Sequence, residues 1–100
     1  MTEKELSINV RLCCQVALLG AITPNIRLIT IGWDGLKLFH LRAYFNSEPT
    51  EDEVEEMNAV CSEIDADIPF ENDKVECIYE SKQRKDLELL KCVVYSRKEL

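Results

Sequence analysis

Apolar residues recur at helical intervals near the start of the chain. They are spaced four, three and four positions apart, as on the buried face of an amphipathic helix: Leu6, Val10, Cys13 and Ala17. Thr2 is followed three residues later by Glu5, which is the pattern of a capping box at a helix start. Gly20 suits the position after a helix end, because glycine tolerates the left-handed backbone found there. The pattern predicts a first helix between Thr2 and Gly20.

The next two segments are rich in β-branched and aromatic residues, and an Asp-Gly pair separates them. Residues 25–33 are NIRLITIGW and residues 36–45 are LKLFHLRAYF, and both compositions favour strands. Asp34-Gly35 between them is a strong signal for a two-residue type I′ turn. We therefore predict a β-hairpin over this part of the chain.

The register of this hairpin decides which side chains share a face of the sheet. A two-residue turn pairs Trp33 with Leu36 and Ile31 with Leu38, and side chains alternate between faces from there. The cleaner apolar face, which we predict to lie on the core, collects seven residues: Ile26, Leu28, Thr30, Phe39, Leu41, Ala43 and Phe45. The opposite face is mixed, so either another element covers it or a partner does.

The second half of the chain repeats the order of one helix and two strands. Thr50 with Glu53 predicts another capping box, and Pro69 ends the helix that follows. The apolar stripe of this helix has four members: Val54, Met57, Cys61 and Ile64. Residues 74–80, KVECIYE, and residues 89–97, LLKCVVYSR, read as strands on either side of a polar loop.

These elements predict an α+β fold in the order α-β-β-α-β-β. We expect a two-layer sandwich in which two helices cover one face of an antiparallel four-stranded sheet. A chain of 100 residues is the size of one domain, so residues 1–100 are predicted to form a single unit.

The charge of the chain is negative and unevenly placed. The net charge is −7, and residues 46–73 contain eleven Asp or Glu without one Lys or Arg. A balance of this kind argues against direct binding to nucleic acid or to an anionic membrane, since phosphate binding needs clustered bases. It favours a partner that is itself basic.

Two properties of this acidic segment favour a contact surface over a merely solvated one. Asp52 and Glu56 are like charges four positions apart, which weakens a helix slightly, and no base is interleaved. The predicted contact residues are Glu51, Asp52, Glu55, Glu56, Glu63, Asp65 and Asp67. Trp33 and Asp34 at the hairpin tip are second candidates, because a half-exposed tryptophan makes a good interface anchor, although core packing is the alternative for Trp33.

The sequence contains no recognisable catalytic or metal-binding motif. The number of cysteines, five, is odd, and no two of them form a C-x-x-C pair. We therefore predict that the thiols are reduced and buried, which indicates a cytoplasmic location. We also predict that the protein binds no metal or cofactor. His40 is the only histidine and has no acidic residue near it in sequence. The opening residues are not those of a signal peptide, and no apolar run approaches the ~20 residues of a membrane span. We predict a protein that is not an enzyme.

Several segments together resemble a known group of proteins. Residues 17–35, ALLGAITPNIRLITIGWDG, followed by SEPTEDEVEE and EIDADIPF, are similar to small bacterial immunity proteins of contact-dependent growth inhibition and related polymorphic toxin systems. The resemblance implies a cytosolic antidote that binds the C-terminal domain of a toxin, often an RNase. We predict that it binds a basic toxin domain in a 1:1 complex. The identity of the toxin and the contact residues do not carry over, and we assign them from charge and exposure alone.

Two other function classes stay open at this point. A structural or adaptor subunit would dimerise through the mixed face of the sheet. A small enzyme or metal protein would depend on His40, the residue that such chemistry would most need.

Overall fold

The computed structural model describes residues 1–98 and contains two helices, four strands and one 3-10 turn. The elements in chain order are α1 (Glu3–Ala17), β1 (Ile26–Asp34), β2 (Leu38–Phe45), α2 (Glu51–Asp67), β3 (Asn72–Tyr79), the turn Arg84–Asp86 and β4 (Cys92–Ser96). The predicted order of helices and strands is confirmed. The α+β class is also confirmed.

Both helices begin at the capping boxes that the sequence predicts. The Thr2 hydroxyl accepts from the Glu5 backbone N–H at 3.1 Å, and the Glu5 carboxylate accepts from the Thr2 N–H at 3.3 Å. Thr50 and Glu53 repeat the arrangement at 3.1 and 3.0 Å. Each box satisfies backbone donors that a helix start otherwise leaves unpaired, and so fixes where the helix begins.

The sheet is mixed, and the prediction of a fully antiparallel sheet is wrong. The strand order is β3-β2-β1-β4, with β2 and β3 parallel and the other two pairs antiparallel. A parallel pair needs a crossover of a dozen or more residues, and the 17-residue α2 supplies it. The chain then leaves β3 at one edge of the sheet and reaches β4 at the other, so these two strands form no hairpin.

The hairpin register also differs from the prediction, because the turn has three residues instead of two. Asp34 pairs with Leu38, and the Lys37 N–H donates to the Asp34 carbonyl oxygen at 2.9 Å. A type I′ turn needs a positive φ at both central residues, whereas only Gly35 has one here, at 52°. Trp33 consequently lies opposite Phe39.

This change of register moves the buried face of β1 by one residue. Ile29, Ile31 and Trp33 enter the main core, in the places predicted for Leu28 and Thr30. The predicted core residues of β2 all lie in that core, as does Ile26, which a register irregularity before Leu28 returns to the same face. Buried residues of α1 and α2, and of the segments that follow them, complete the cluster: Leu6, Val10, Cys14, Ala17, Leu18, Ala21, Met57, Val60, Cys61, Ile64 and Ile68.

The segment between β3 and β4 covers part of the opposite face of the sheet. Leu87 packs there against Leu28 and Tyr44, with Ile78 at the border of this small cluster. Backbone groups of the same segment contact the sheet as well, since the Tyr44 hydroxyl donates to the Glu88 carbonyl oxygen at 2.9 Å. The sequence predicts that either another element or a partner covers the mixed face of the sheet. In the structure, the chain itself covers part of this outer face.

Candidate functional site

The outward side of α2 presents six exposed carboxylates, which we call the acidic face. At about 100° per residue these six positions fall within one half of the helix circumference. They are Glu51, Asp52, Glu55, Glu56, Glu63 and Asp67. All six belong to the contact set predicted from the sequence, and the structure brings them together on one surface.

No base neutralises the acidic face within the part of the chain that the structure describes. The ion pairs among residues 1–98 use Glu3, Glu76 and Glu80, and none involves a carboxylate of α2. α2 itself contains no Lys or Arg. The acids of its first turn are favoured by the positive end of the helix dipole, which explains how the helix tolerates them. The rest of the face gains no such compensation.

Glu53 differs from its neighbours because its carboxylate is held by the protein. It accepts from the Thr23 hydroxyl at 2.8 Å, from the Asn25 amide at 3.1 Å and from the Thr50 N–H at 3.0 Å. Burial alone would raise the pKa of Glu53, but these hydrogen bonds outweigh it and hold the pKa below its usual value. Glu53 thus fixes the start of α2 against the segment before β1.

A small hollow opens beside Glu53, between the end of α1 and the start of α2. Its volume is about 160 Å³, and its walls are Gly20, Ala21, Thr23, Asp52, Glu53 and Glu56. The last turn of α1 carries no basic residue, so the negative end of that helix dipole adds to the three carboxylates. The electrostatics of the hollow favour a positively charged group.

Asp65 belongs to the predicted contact set, but the structure does not place it on the acidic face. It is half-buried where α2 meets β3, and its Oδ1 atom is buried without a hydrogen-bond partner among the described residues. Burial and the nearby Asp73 raise the pKa of Asp65 to about 6. Protonation of Asp65 relieves its repulsion with Asp73.

The same place contains the residues that could offer ligands to a metal ion. Cys61, Asp65 and Asp73 each point one donor atom into it, with all three atoms within 4.8 Å of one another. Burial, Asp73 and Asp65 raise the pKa of the Cys61 thiol to about 12, which favours the protonated thiol over the thiolate that binds metals. Cys61 and Asp65 are four positions apart on a helix, a signal visible in the sequence, whereas Asp73 joins them only through the fold.

The raised pKa of Asp65 predicts how stability changes with pH. The pKa of Asp65 is higher in the folded chain than its ordinary 3.8, so its contribution to stability is full below about pH 4 and is lost as the pH rises through about 6. Asp65→Asn should therefore match the wild type near pH 4 and exceed its free energy of unfolding at pH 7 by about 1 kcal/mol, since solvent screens the half-buried pair. Urea unfolding at both pH values measures this difference.

Asp67→Asn is the matched control for that experiment, because it makes the same change at an exposed position of the same helix. It should change the free energy of unfolding by less than about 0.5 kcal/mol at either pH, as expected for a substitution at an exposed position. A stabilisation by Asp65→Asn that is the same at pH 4 and pH 7 would contradict the raised pKa of Asp65.

Trp33 and Asp34, the second candidates at the hairpin tip, differ in their exposure. Trp33 is 8% exposed, and its indole Nε1–H donates to Glu3 Oε1 at 3.0 Å. The Lys91 ammonium lies 4.3 Å from the centre of the indole ring and 3.0 Å from the same Glu3 oxygen. The half-exposed anchor predicted for Trp33 is absent, and core packing takes its place. Asp34 is exposed.

His40 gains an acidic partner that its sequence neighbours do not supply. Glu76 on β3 contacts His40 Nε2 and also accepts from Arg42 Nε at 3.0 Å. Burial would raise the pKa of Glu76, but hydrogen bonds from His40 and Arg42 lower it by more. The three side chains tie the parallel strands β2 and β3 together on the outer face of the sheet, which is a structural role.

The prediction of buried thiols holds for Cys14 and Cys61, whereas Cys13, Cys77 and Cys92 are half-buried. All five cysteines are free, and burial raises the pKa of Cys14 to about 12. Such a thiol is protonated at neutral pH and is a poor nucleophile. Neither α1 nor α2 has both the length and the apolar run that crossing a bilayer requires.

Comparison with known proteins gives one family. The family model described as MafI2 immunity protein matches residues 7–99. The match includes α1 from residue 7 onward, all of α2, the four strands and the acidic face. The search of curated proteins gave no match.

Proposed function

Because this chain belongs to the MafI2 immunity protein family, it is a small bacterial immunity protein that neutralises a toxin, and we propose that the acidic face contacts that toxin. The family membership confirms the group that the sequence resembles, at the level of polymorphic toxin systems. It does not extend to contact-dependent growth inhibition in particular.

The observation that carries the proposal is the row of six carboxylates without a basic neighbour in residues 1–98. A surface of one sign raises the rate of encounter with an oppositely charged partner and disfavours partners of the same sign. An immunity protein must find its toxin quickly, before the toxin acts. A uniform acidic face suits a basic toxin domain.

The hollow beside Glu53 offers a place for one cationic side chain of the toxin. Asp52 and Glu56 flank it from the acidic face, and Glu53 holds a fixed negative charge at its wall. A lysine or arginine that entered it would meet three carboxylates, of which that of Glu53 is already held in place. We propose that Asp52 and Glu56 contribute most to binding among the six.

The charge of the proposed contact also bears on the kind of toxin. A nuclease needs a basic surface to hold its substrate, and an acidic protein that covers this surface inhibits it without any catalysis of its own. We therefore propose a basic nuclease domain, of the RNase type, as the toxin, bound 1:1 in the cytoplasm and without direct contact between this protein and nucleic acid.

Salt dependence tests this mode of binding. The association rate with the cognate toxin domain should fall about tenfold between 50 and 200 mM salt, because ions screen the steering field. Stopped-flow mixing at the two concentrations measures the rate. An association rate that is unchanged by salt would remove the acidic face from the mechanism while leaving the family membership intact.

A further inference from the structure

α1 has a second apolar face that the core does not use. Four of its residues are buried against the sheet: Leu6, Val10, Cys14 and Ala17. On the outward side, Ile8, Leu12 and Val16 are 42%, 60% and 66% exposed, and Leu19 just beyond the helix is 79% exposed. The outward residues are spaced four, four and three positions apart, which makes one continuous stripe along the helix.

The stripe continues onto the edge of the sheet. A groove of about 290 Å³ lies between α1 and β4, and Ile8, Leu12, Val93 and Val94 form its apolar walls. Val93 is 42% exposed, and β4 lies at the edge of the sheet, where β1 is its one partner strand within residues 1–98. We call the stripe and the groove together the α1/β4 surface. A contiguous exposed apolar surface of this kind marks an interaction site.

The α1/β4 surface is almost without charge. Residues 6–23 contain a single charged side chain, Arg11, in a chain of which 31% is charged. The acidic face lies on a different part of the protein surface. α2, which carries it, packs near β3 at one edge of the sheet, whereas α1 packs near β4 at the other edge. A partner that recognises charged side chains would therefore find few of them at the α1/β4 surface.

These properties fit a second copy of the same chain. Two molecules of net charge −7 repel each other over most of their surfaces, and contact through a nearly neutral surface avoids this cost. The acidic faces would then lie on the far sides of the pair. A basic toxin, in contrast, would find Arg11 as the only charge here, which has the wrong sign to attract it.

A two-fold arrangement is possible because the stripe is apolar along its whole length. Two copies of α1 packed antiparallel bring apolar residues against apolar residues, with their helix dipoles opposed. We propose that the α1/β4 surface joins two copies of this chain into a symmetric dimer and leaves both acidic faces open to toxin.

Sedimentation of the isolated protein tests the proposal. The wild type should sediment at twice the 11.5 kDa of one chain at high concentration and approach 11.5 kDa on dilution. Leu12→Glu and Val16→Glu should each raise the dissociation constant at least about 100-fold, because each places a charge at the centre of an apolar contact. Circular dichroism confirms that both variants fold, since neither residue is in the core.

Leu89→Glu is the matched control. Leu89 is 53% exposed, close to the value for Leu12, and it lies on the segment between β3 and β4, away from the stripe. It should leave the dimer unchanged. A wild type that stays at 11.5 kDa at every concentration, or a dimer that survives Leu12→Glu, would overturn the proposal.

Toxin binding by the same variant tests the other possible occupant of the α1/β4 surface. If the isolated chain is a monomer and Leu12→Glu abolishes toxin binding, the α1/β4 surface belongs to the toxin and the dimer is refuted. Variants of the acidic face separate this result from the proposed function, because they should weaken toxin binding while leaving the dimer intact.

Discussion

Replacing Asp52 with Asn and Glu56 with Gln in one double variant should slow association with the toxin about tenfold and weaken binding about 100-fold. Both residues flank the hollow that is proposed to receive a cationic side chain. A loss of 100-fold corresponds to about 2.7 kcal/mol, the size expected for two charged contacts at the centre of an interface. Kinetics at low salt measure both constants, and growth of cells that produce the toxin reports protection.

The fold should survive this double variant. Removing Asp52 and Glu56 relieves a like-charge pair four positions apart, a gain of a few tenths of a kcal/mol. Removing Asp52 also loses a favourable interaction with the helix dipole, of about 0.3–1 kcal/mol. The two effects oppose each other, so the free energy of unfolding should change by less than about 1 kcal/mol. A loss of binding would then reflect the contact and not unfolding.

A second double variant controls for total charge. Asp86→Asn with Glu88→Gln removes the same two charges from exposed positions on the other side of the molecule. If the acidic face is the contact, this control should bind the toxin within about twofold of the wild type. Equal losses in the two double variants would show that overall charge, and not the acidic face, governs binding.

The helices could be predicted from the sequence because their signals are local. Thr2 with Glu5, and Thr50 with Glu53, form their capping boxes within three residues. The exposure of the acidic face follows from helical spacing in the same way. Elements whose determinants lie a few residues apart leave little for the rest of the fold to change.

The sheet could not be predicted fully, because its pairing is decided between distant segments. Asp-Gly favours a two-residue turn, but Asp34 stays in the strand and the turn takes a third residue, which reverses the two faces of β1. The parallel pairing of β2 with β3 depends on how α2 crosses the sheet. Neither outcome leaves a local pattern in the chain.

Two of the predicted contact residues were misplaced for the same reason. Asp65 lies beside Asp73, and Trp33 lies against Glu3 and Lys91, residues that only the fold brings near. Charge and residue type indicate what a side chain can do. Whether it is free to do so depends on neighbours that are remote in sequence.

A substitution in the segment between β3 and β4 should have a large effect on stability. Leu87→Ala should lower the free energy of unfolding by about 2 kcal/mol, because Leu87 is 7% exposed and fills a small cluster with Leu28 and Tyr44. Chemical denaturation measures the loss. In the sequence this segment is polar, so nothing marks Leu87 as the residue that covers the outer face of the sheet.

Leu89→Ala makes the same change two residues away at a side chain that is 53% exposed, and it should cost less than about 0.5 kcal/mol. The contrast also bears on the adaptor alternative. If the outer face served as a dimer interface, Leu87→Ala would open it, and self-association would increase as stability fell. If the segment is a permanent cover, stability should fall while the sedimentation behaviour stays that of the wild type.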